Sequence, residues 1–312
     1  MKAVILAGGE GTRLRPLTSN QPKPMMPLAN RPMMEHVVRL LANHGFDDIV
    51  VTVAFLANQI RDYFGDGSDF GVRMRYATEE SPLGTAGSVL NASEELDDTF
   101  LVISGDALCD VDLTKLVEFH REKKASVTIG LKSVDNPLEF GIVVTDDDGR
   151  VERFLEKPSW GQVFSDTINT GIYVVDAEAL KHVPTGRPYD FSKELFPLLL
   201  EMGRPIYGCV LDGYWQDIGN LEQYRQANFD ALDEKVQLNI PGIRIRGNVW
   251  VGDGVDLHDI DALEGPLEVA QDERAHPLGL AVVGVVVAGG ERIGAEHDAA
   301  LHLGAEARSA RA

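Results

Sequence analysis

Cysteine is nearly absent from this chain: Cys109 and Cys209 are the two among 312 residues, and neither has a Cys or His neighbour at metal-ligand spacing. A cysteine-based metal site is therefore excluded, and two reduced core thiols in a cytosolic setting are the expectation. Positive charge is scarce as well. Lys and Arg number 29 against 49 Asp and Glu, giving a formal net charge of −20 and a pI near 4.7. No basic cluster exists to hold a phosphate backbone, so a nucleic-acid partner is excluded, and the acidic surface reports solubility. Long hydrophobic runs are missing too: the opening MKAVILAGG runs into glycines after a short apolar stretch, which reads as a buried first strand and neither a membrane span nor a signal peptide. The chain also has no GxSxG elbow and no Cys paired with a plausible His base, so it offers no protein nucleophile.

What is present is alternation. Apolar runs at Ala3 to Leu6, Ile49 to Ala54, Val72 to Tyr76, Phe100 to Ile103, Val127 to Leu131 and Ile172 to Val175 predict strands. Helical spacing occupies Pro32 to His44, Ala57 to Phe64, Ala86 to Leu96 and Leu113 to Lys124. Such alternation predicts an α/β, Rossmann-like domain with a mostly parallel, mixed sheet covered by helices on both faces, and ligands beyond the carboxyl ends of the strands.

A different period begins near Ile240. Ile243, Val249 and Val255 recur every six positions, as do Ile245, Val251 and Leu257, with Gly247, Gly252 and Gly254 at the corners. That repeat predicts a short or incomplete parallel β-helix, left-handed in the reading that the resemblance below completes. The expected organisation is thus an α/β domain over 1–232 and a partial β-helix over 240–312, irregular from about residue 268. That tail has no Lys, Asn, Thr, Met or aromatic residue, and reads either as a diverged segment or as an out-of-frame translation.

The first strand runs into Gly8, Gly9, Gly11, Thr12 and Arg13, with Lys23 following. Missing side chains let a polyphosphate approach the main chain around such a turn. Arg13 adds a planar fork and Lys23 a point charge, both suited to phosphate oxygens. The turn is not a Walker A loop, and it departs from GxGxxG because Leu14 stands where the third glycine belongs. A plain glycine-rich turn with incidental charges is the bland alternative, and Arg13, Lys23 and the prolines weigh against it. Asp106 follows the apolar run FLVISG at a strand's carboxyl end, and Asp217 sits in a comparable turn of DGYWQDIGN. Taken singly, each reads as a cap or turn residue; as a pair beside a phosphate cradle they read as chemistry. Asp112 is expected to cap the helix that starts at Leu113, and His36, beside Glu35, reads as structural.

These residues carry a resemblance. GGEGTRLRPLT followed by PKP, then TEESPLGTAGS, NPLEFGIV, FLEKPSWGQVFSDTINTGIYV and GYWQDIGN, resembles the sugar-1-phosphate nucleotidyltransferases over residues 1 to about 267. Within that family the chain is most similar to bacterial mannose-1-phosphate guanylyltransferases. The resemblance implies transfer of a nucleoside monophosphate from GTP, or another nucleoside triphosphate, to a sugar 1-phosphate, with release of pyrophosphate. It implies Mg2+ or Mn2+ held by Asp106 and Asp217, a nucleotide site of Leu6, Ala7, Gly8, Gly9, Gly11, Thr12, Arg13, Lys23, Glu79, Gly84 and Thr85, and a sugar-phosphate site of Gly141, Glu156, Lys157, Asn169 and Gly171. Arg13, Lys23, Asp106, Asp217 and Lys157 are its catalytic set.

In related uridylyl and thymidylyl enzymes a glutamine usually stands five residues before the glycine of this motif, where this chain has Glu79. An ionised carboxylate only accepts, and guanine presents two adjacent donors, so guanine is favoured. A one-residue loop shift would hand the role to Glu80, and two solvated carboxylates are the bland reading. The same chemistry on UTP, dTTP or a heptose phosphate, and a non-catalytic sensor of nucleotide sugars, are the other readings. Trp160 and Phe164 read as packing, Trp215 as suspect only through its nearness to Asp217, and residues 189–200 as a helix supporting the sugar site. Oligomer contacts through the β-helix are a further implication of the resemblance.

Overall fold

The computed structural model describes residues 1–96, 98–159, 161, 163, 165–246, 249–251, 267–270 and 281–283. The chain divides into two compact units, one of 1–27 with 31–227, the other of 28–30 with 228–312. Their strands are, in chain order, β1 (Lys2–Ala7), β2 (Pro27–Leu28), β3 (Arg31–Pro32), β4 (Asp48–Val53), β5 (Arg73–Thr78), β6 (Phe100–Ser104), β7 (Ala107–Cys109), β8 (Val127–Ser133), β9 (Gly141–Thr145), β10 (Val151–Glu156), β11 (Thr167–Val175), β12 (Ile206–Val210), β13 (Trp215–Asp217), β14 (Ile243–Arg246), β15 (Val249–Val251), β16 (Leu267–Ala270) and β17 (Ala281–Val283). The helices are α1 (Met33–Asn43), α2 (Ala57–Phe64), α3 (Gly84–Asn91), α4 (Leu113–Lys123), α5 (Phe196–Glu201) and α6 (Leu221–Leu232).

The first unit is built on a nine-stranded mixed sheet. Strands β6, β1, β4 and β5 lie side by side and run parallel, as βαβ crossovers require. Beyond β6 the pairing turns antiparallel wherever β11 meets β6, β8 and β9 and where β9 meets β10, while β12 joins β8 in parallel. Continuous apolar runs produce the central strands: Ala3, Val4, Ile5, Leu101, Val102 and Ile103 are wholly buried, because helices cover both faces. Clusters from β1, β4, α1 and α2 on one side and from α3, β8, β11 and α5 on the other form two core layers.

Two helices depart from their expected spans. The spacing over Ala86 to Leu96 gives α3 only to Asn91, then a separate 3-10 turn over Ser93–Glu95; Asn91 spends its side-chain amide on the Thr78 carbonyl at 3.1 Å. The segment 189–200 forms a π-turn over Phe191–Leu195 before α5. Pro197 lacks the N–H that an uninterrupted α-helix would bond, so the register widens just ahead of it.

Glu35 and His36 are structural, as expected for that helix. Glu35 is 1% exposed and accepts from Arg31, from Arg39 Nε at 2.7 Å and from the Tyr63 hydroxyl. Burial opposes its charge, but these donors outweigh burial and hold the carboxyl below the usual range. Asp112 caps α4, accepting from Lys115 N at 3.0 Å.

In the second unit the described strands form one four-stranded sheet. β15 pairs with β16 in parallel, Val249 opposite Leu267, while β14 with β15 and β16 with β17 are antiparallel. The expected corner residues Gly247, Gly252 and Gly254, with Val255 and Leu257, lie outside the described residues, as do Trp160 and Phe164. Among the described residues no helix is long and apolar enough to cross a membrane.

Candidate active site

At the carboxyl end of β1 the chain turns through Gly8, Gly9 and Gly11 into a 3-10 turn of Thr12–Leu14, whose Leu14 is wholly buried and anchors it. Leu6 and Ala7 end the strand beneath this turn, and the Leu6 carbonyl accepts from Gly105 N at 2.9 Å. Gly11 has φ of +62°, and a β-carbon there would stand 2.8 Å from Lys23 Cβ. Only glycine fits both the left-handed backbone and the close lysine. Gly9 by contrast has open space on its Cβ side.

Lys23 is 8% exposed, and its ammonium pairs with Asp106. The Ser104 hydroxyl donates to the other carboxylate oxygen. Asp217 ends β13, which pairs with β7 so that Asp217 stands opposite Ala107, one residue from Asp106. Burial raises the Asp217 carboxyl above its usual range, the Asp106 charge raises it further, and Lys23 and Arg13 act against both. A β-carbon on Gly219 would lie 3.0 Å from Arg13 Nη1 and 3.1 Å from Asp217 Oδ2, so that bare glycine is what lets the guanidinium and the carboxylate converge. Arg13, Lys23, Asp106 and Asp217 thus meet around one point beside the glycine turn. Two carboxylates facing each other in a partly buried site suit a hard divalent cation that takes its remaining ligands from phosphate and water. Among the described residues no third His, Cys, Asp or Glu completes an all-protein metal cage.

Glu79 follows β5 and reaches back over the turn: a β-carbon on Gly8 would be 3.1 Å from Glu79 Oε1. Glu79 is half-buried, whereas Glu80 is exposed. Gly84, at φ +70°, presses its Cβ side against the Tyr189 backbone at 2.8 Å, so chain packing by itself requires glycine there. Thr85 is held by Asp190, which accepts from Thr85 N at 3.1 Å and from its hydroxyl at 3.2 Å.

The residues expected at the sugar phosphate lie on or beside β9, β10 and β11. Gly141 pairs with Glu156, and a β-carbon on Gly141 would be 2.8 Å from Glu156 Oε2. Burial raises the Glu156 carboxyl; Lys157, Lys193 and the Ser192 hydroxyl partly offset it. Lys157 is exposed and takes a left-handed backbone with φ of +46°, uncommon for a side chain of its length, with its N–H bonded to the Phe140 carbonyl at 3.0 Å. Asn169 donates to the Tyr173 hydroxyl at 2.9 Å and accepts from Gly171 N at 2.9 Å. Gly171, at φ +78°, has open space on its Cβ side. Sequence reasoning missed Ser104, Tyr173, Asp190 and Gly219; the quoted motifs contain or adjoin all four, and the partners of Asp190 and Gly219, Thr85 and Arg13, are remote in the chain.

With this geometry in view, comparison with known proteins assigns the class. The Nucleotidyl transferase family profile matches residues 2–234, and the chain belongs to that family. It is 43% identical over 285 residues to a UTP–glucose-1-phosphate uridylyltransferase of Synechocystis sp., covering 86% of this chain and 74% of that protein. It is 38% identical to a mannose-1-phosphate guanylyltransferase of Mycobacterium tuberculosis, covering 93% of this chain and 80% of the relative. That alignment extends past residue 267, further than the quoted motifs reach. Among solved structures, a putative glucose-1-phosphate thymidylyltransferase from Bacillus anthracis in complex with a sucrose superposes with a TM-score of 0.68 at 26% identity, covering 77% of this chain and 97% of that one. HddC from Yersinia pseudotuberculosis complexed with GMP-PN gives 0.63 at 27%, covering 73% and 97%.

Proposed function

We propose that this nucleotidyltransferase joins GTP and mannose 1-phosphate to give GDP-mannose and pyrophosphate. One observation carries the reading of the chemistry: Arg13, Lys23, Asp106 and Asp217 converge beside the glycine turn. An oxygen of the sugar phosphate attacks the α-phosphorus, the bond from that phosphorus to the bridging oxygen breaks, and pyrophosphate departs. Anion attacks anion, so neutralisation and alignment supply most of the acceleration. Lys23 and Arg13 neutralise the triphosphate, which the turn from Leu6 and Ala7 through Gly8, Gly9, Gly11 and Thr12 receives at close range. Lys157 holds the sugar's phosphate, and Glu156, Asn169, Gly141 and Gly171 receive the hexose. Asp106 and Asp217 would hold Mg2+ or Mn2+, which supplies further charge neutralisation on the transferred phosphoryl group.

The choice of guanine rests on Glu79, whose carboxylate reaches over Gly8 beside the cradle, with Gly84 and Thr85 behind it. A second reading, UTP with glucose 1-phosphate, is favoured by the 43% identity to the Synechocystis uridylyltransferase. Pyrophosphate release from a grid of five nucleoside triphosphates against mannose, glucose and N-acetylglucosamine 1-phosphates separates them. Turnover confined to GTP with mannose 1-phosphate supports the first, turnover confined to UTP with glucose 1-phosphate the second, and silence with every pair sinks both.

The same proposal takes residues 1–232 as the catalytic domain and 240–312 as the start of a left-handed β-helix that makes oligomer contacts. The parallel pairing of Val249 with Leu267, eighteen residues apart and so three hexapeptides, supports that reading, whereas the antiparallel pairings of β14 with β15 and of β16 with β17 run against it. The two free, buried cysteines support a cytoplasmic setting.

A further inference from the structure

The segment from Tyr189 to Glu194 touches both halves of the site. On the nucleotide side, the Tyr189 N–H donates to the Leu83 carbonyl at 2.8 Å, and the Tyr189 carbonyl accepts from Ala86 N at 2.9 Å and Gly87 N at 3.0 Å. The first turn of a helix leaves its N–H groups without intrahelical partners. In α3 one of these, Thr85 N, finds Asp190 Oδ1 at 3.1 Å, and the Thr85 hydroxyl donates to the same oxygen while accepting from Phe191 N at 3.0 Å.

On the sugar side, Ser192 and Lys193 lie close enough to the Glu156 carboxylate to act against its raised pKa. The Phe191 ring packs on Tyr173 with centroids 5.1 Å apart, and Tyr173 carries the hydroxyl that meets Asn169. Asp190 itself is pinned from its own chain: its N–H donates to Glu194 Oε2 at 2.7 Å, and its carbonyl accepts from Glu194 N at 3.2 Å and Leu195 N at 3.1 Å. The bond from Leu195 N, five residues on, is what makes this turn a π-turn, a wide form seen often at functional sites.

We infer that Asp190 is a positioning residue for the reaction: it sets the turn that carries Gly84 and Thr85 in one register with the strand end that carries Glu156. Its carboxylate acts on Thr85 on one side, and its backbone leads into Phe191 and Ser192 on the other, so the nucleotide and sugar pockets share this one residue. A bare tie between a loop and α3 would affect the nucleotide side alone. The inference rests on the proposed function for the identity of the two substrates, but its geometry does not.

The test compares the full-length chain with Asp190→Ala and Asp190→Asn. In Asp190→Ala, amide hydrogen exchange is expected to quicken in peptides covering both 83–88 and 152–158. The KM values for nucleoside triphosphate and sugar 1-phosphate are each expected to rise about tenfold, as loss of a charge-assisted hydrogen bond implies, with kcat within about threefold of the parent. Asp190→Asn keeps an oxygen for Thr85, and exposed Lys193, whose ammonium lies 3.4 Å from Asp190 Oδ2, can swing away from the amide, so parent kinetics should return. Ser192→Ala should weaken only the sugar phosphate. Should Asp190→Ala fail to fold, Thr85→Val breaks the same link from the other end and is read by the same exchange peptides. Exchange or KM changes confined to the nucleotide side, or a fall in kcat with both KM values unchanged, would overturn the inference. If the parent turns over no substrate pair, the proposed function falls, and the exchange experiment still decides whether Asp190 joins the two sides.

Discussion

Glu79 lies over Gly8, with its Oε1 3.1 Å from where a β-carbon on that glycine would stand. The proposed phosphate cradle and the proposed base reader therefore share a wall. Gly8→Ala should displace the carboxylate, raising the KM for GTP about tenfold and leaving that for sugar phosphate unchanged. Glu79→Gln should lower the preference for guanine over uracil by about tenfold or more, because an amide presents a donor where the base presents one. Competition kinetics between GTP and UTP read this out, and an unchanged ratio would move base reading to Glu80 or to the backbone.

Asp106 accepts from Ser104 and pairs with Lys23. Asp106→Asn keeps one oxygen for Lys23, and the Ser104 hydroxyl can turn to accept from the new amide, so circular dichroism should be unchanged. Metal-dependent turnover should fall at least about a hundredfold, the scale on which one charge-stabilising group contributes. Turnover near that of the parent would remove Asp106 from the metal site.

Gly141 faces Glu156 across β9 and β10, and a β-carbon there would also meet Phe154 Cζ at 2.8 Å. Gly141→Ala must push the carboxylate or the ring aside. The expected result is a rise of about tenfold in the KM for sugar 1-phosphate with the nucleotide KM unchanged. Equal effects on both substrates would show a general loss of fold and argue against a sugar-side role.

His120 is 4% exposed and bonds Thr128 Oγ1 through Nδ1 at 2.9 Å. Burial pushes its pKa down to about 4; Asp176 acts against the shift and Arg121 adds to it. The unfolded chain, with His near 6.5, takes up the proton first as pH falls. Stability from this group is therefore full above pH 6.5 and is lost between there and pH 4, by on the order of 3 kcal/mol. Urea denaturation at pH 7, 5.5 and 4.5 should show a shallower decline for His120→Gln than for the parent, and parallel declines would refute the assignment.

The central strands were legible because burial on both faces writes an uninterrupted apolar run, as in Ala3 to Leu6 and Phe100 to Ile103. The short β13, Trp215–Asp217, is half-buried throughout, and β10 exposes Glu152 and Arg153, so neither leaves such a run. The cradle was legible because its glycines, arginine and lysine are close in sequence. Asp190 was not, since its partner Thr85 is 105 residues away and nothing local in YDFSKEL announces it. Gly84 was legible as special but for a different reason: its bare Cβ side admits the Tyr189 backbone. No property of Glu79 and Glu80 as residues separates them; burial against the glycine turn does.

Both native thiols are out of reach of solvent chemistry. Burial pushes the Cys109 thiol up to about 12, and Cys209 is raised for the same reason. A thiol held protonated and covered is a poor nucleophile. The wild-type chain should thus be silent toward maleimides while folded, and a single cysteine introduced at exposed Glu80 would be the one reactive handle on the molecule. A fluorophore placed there would report nucleotide arrival at the turn without stripping the native cysteines first.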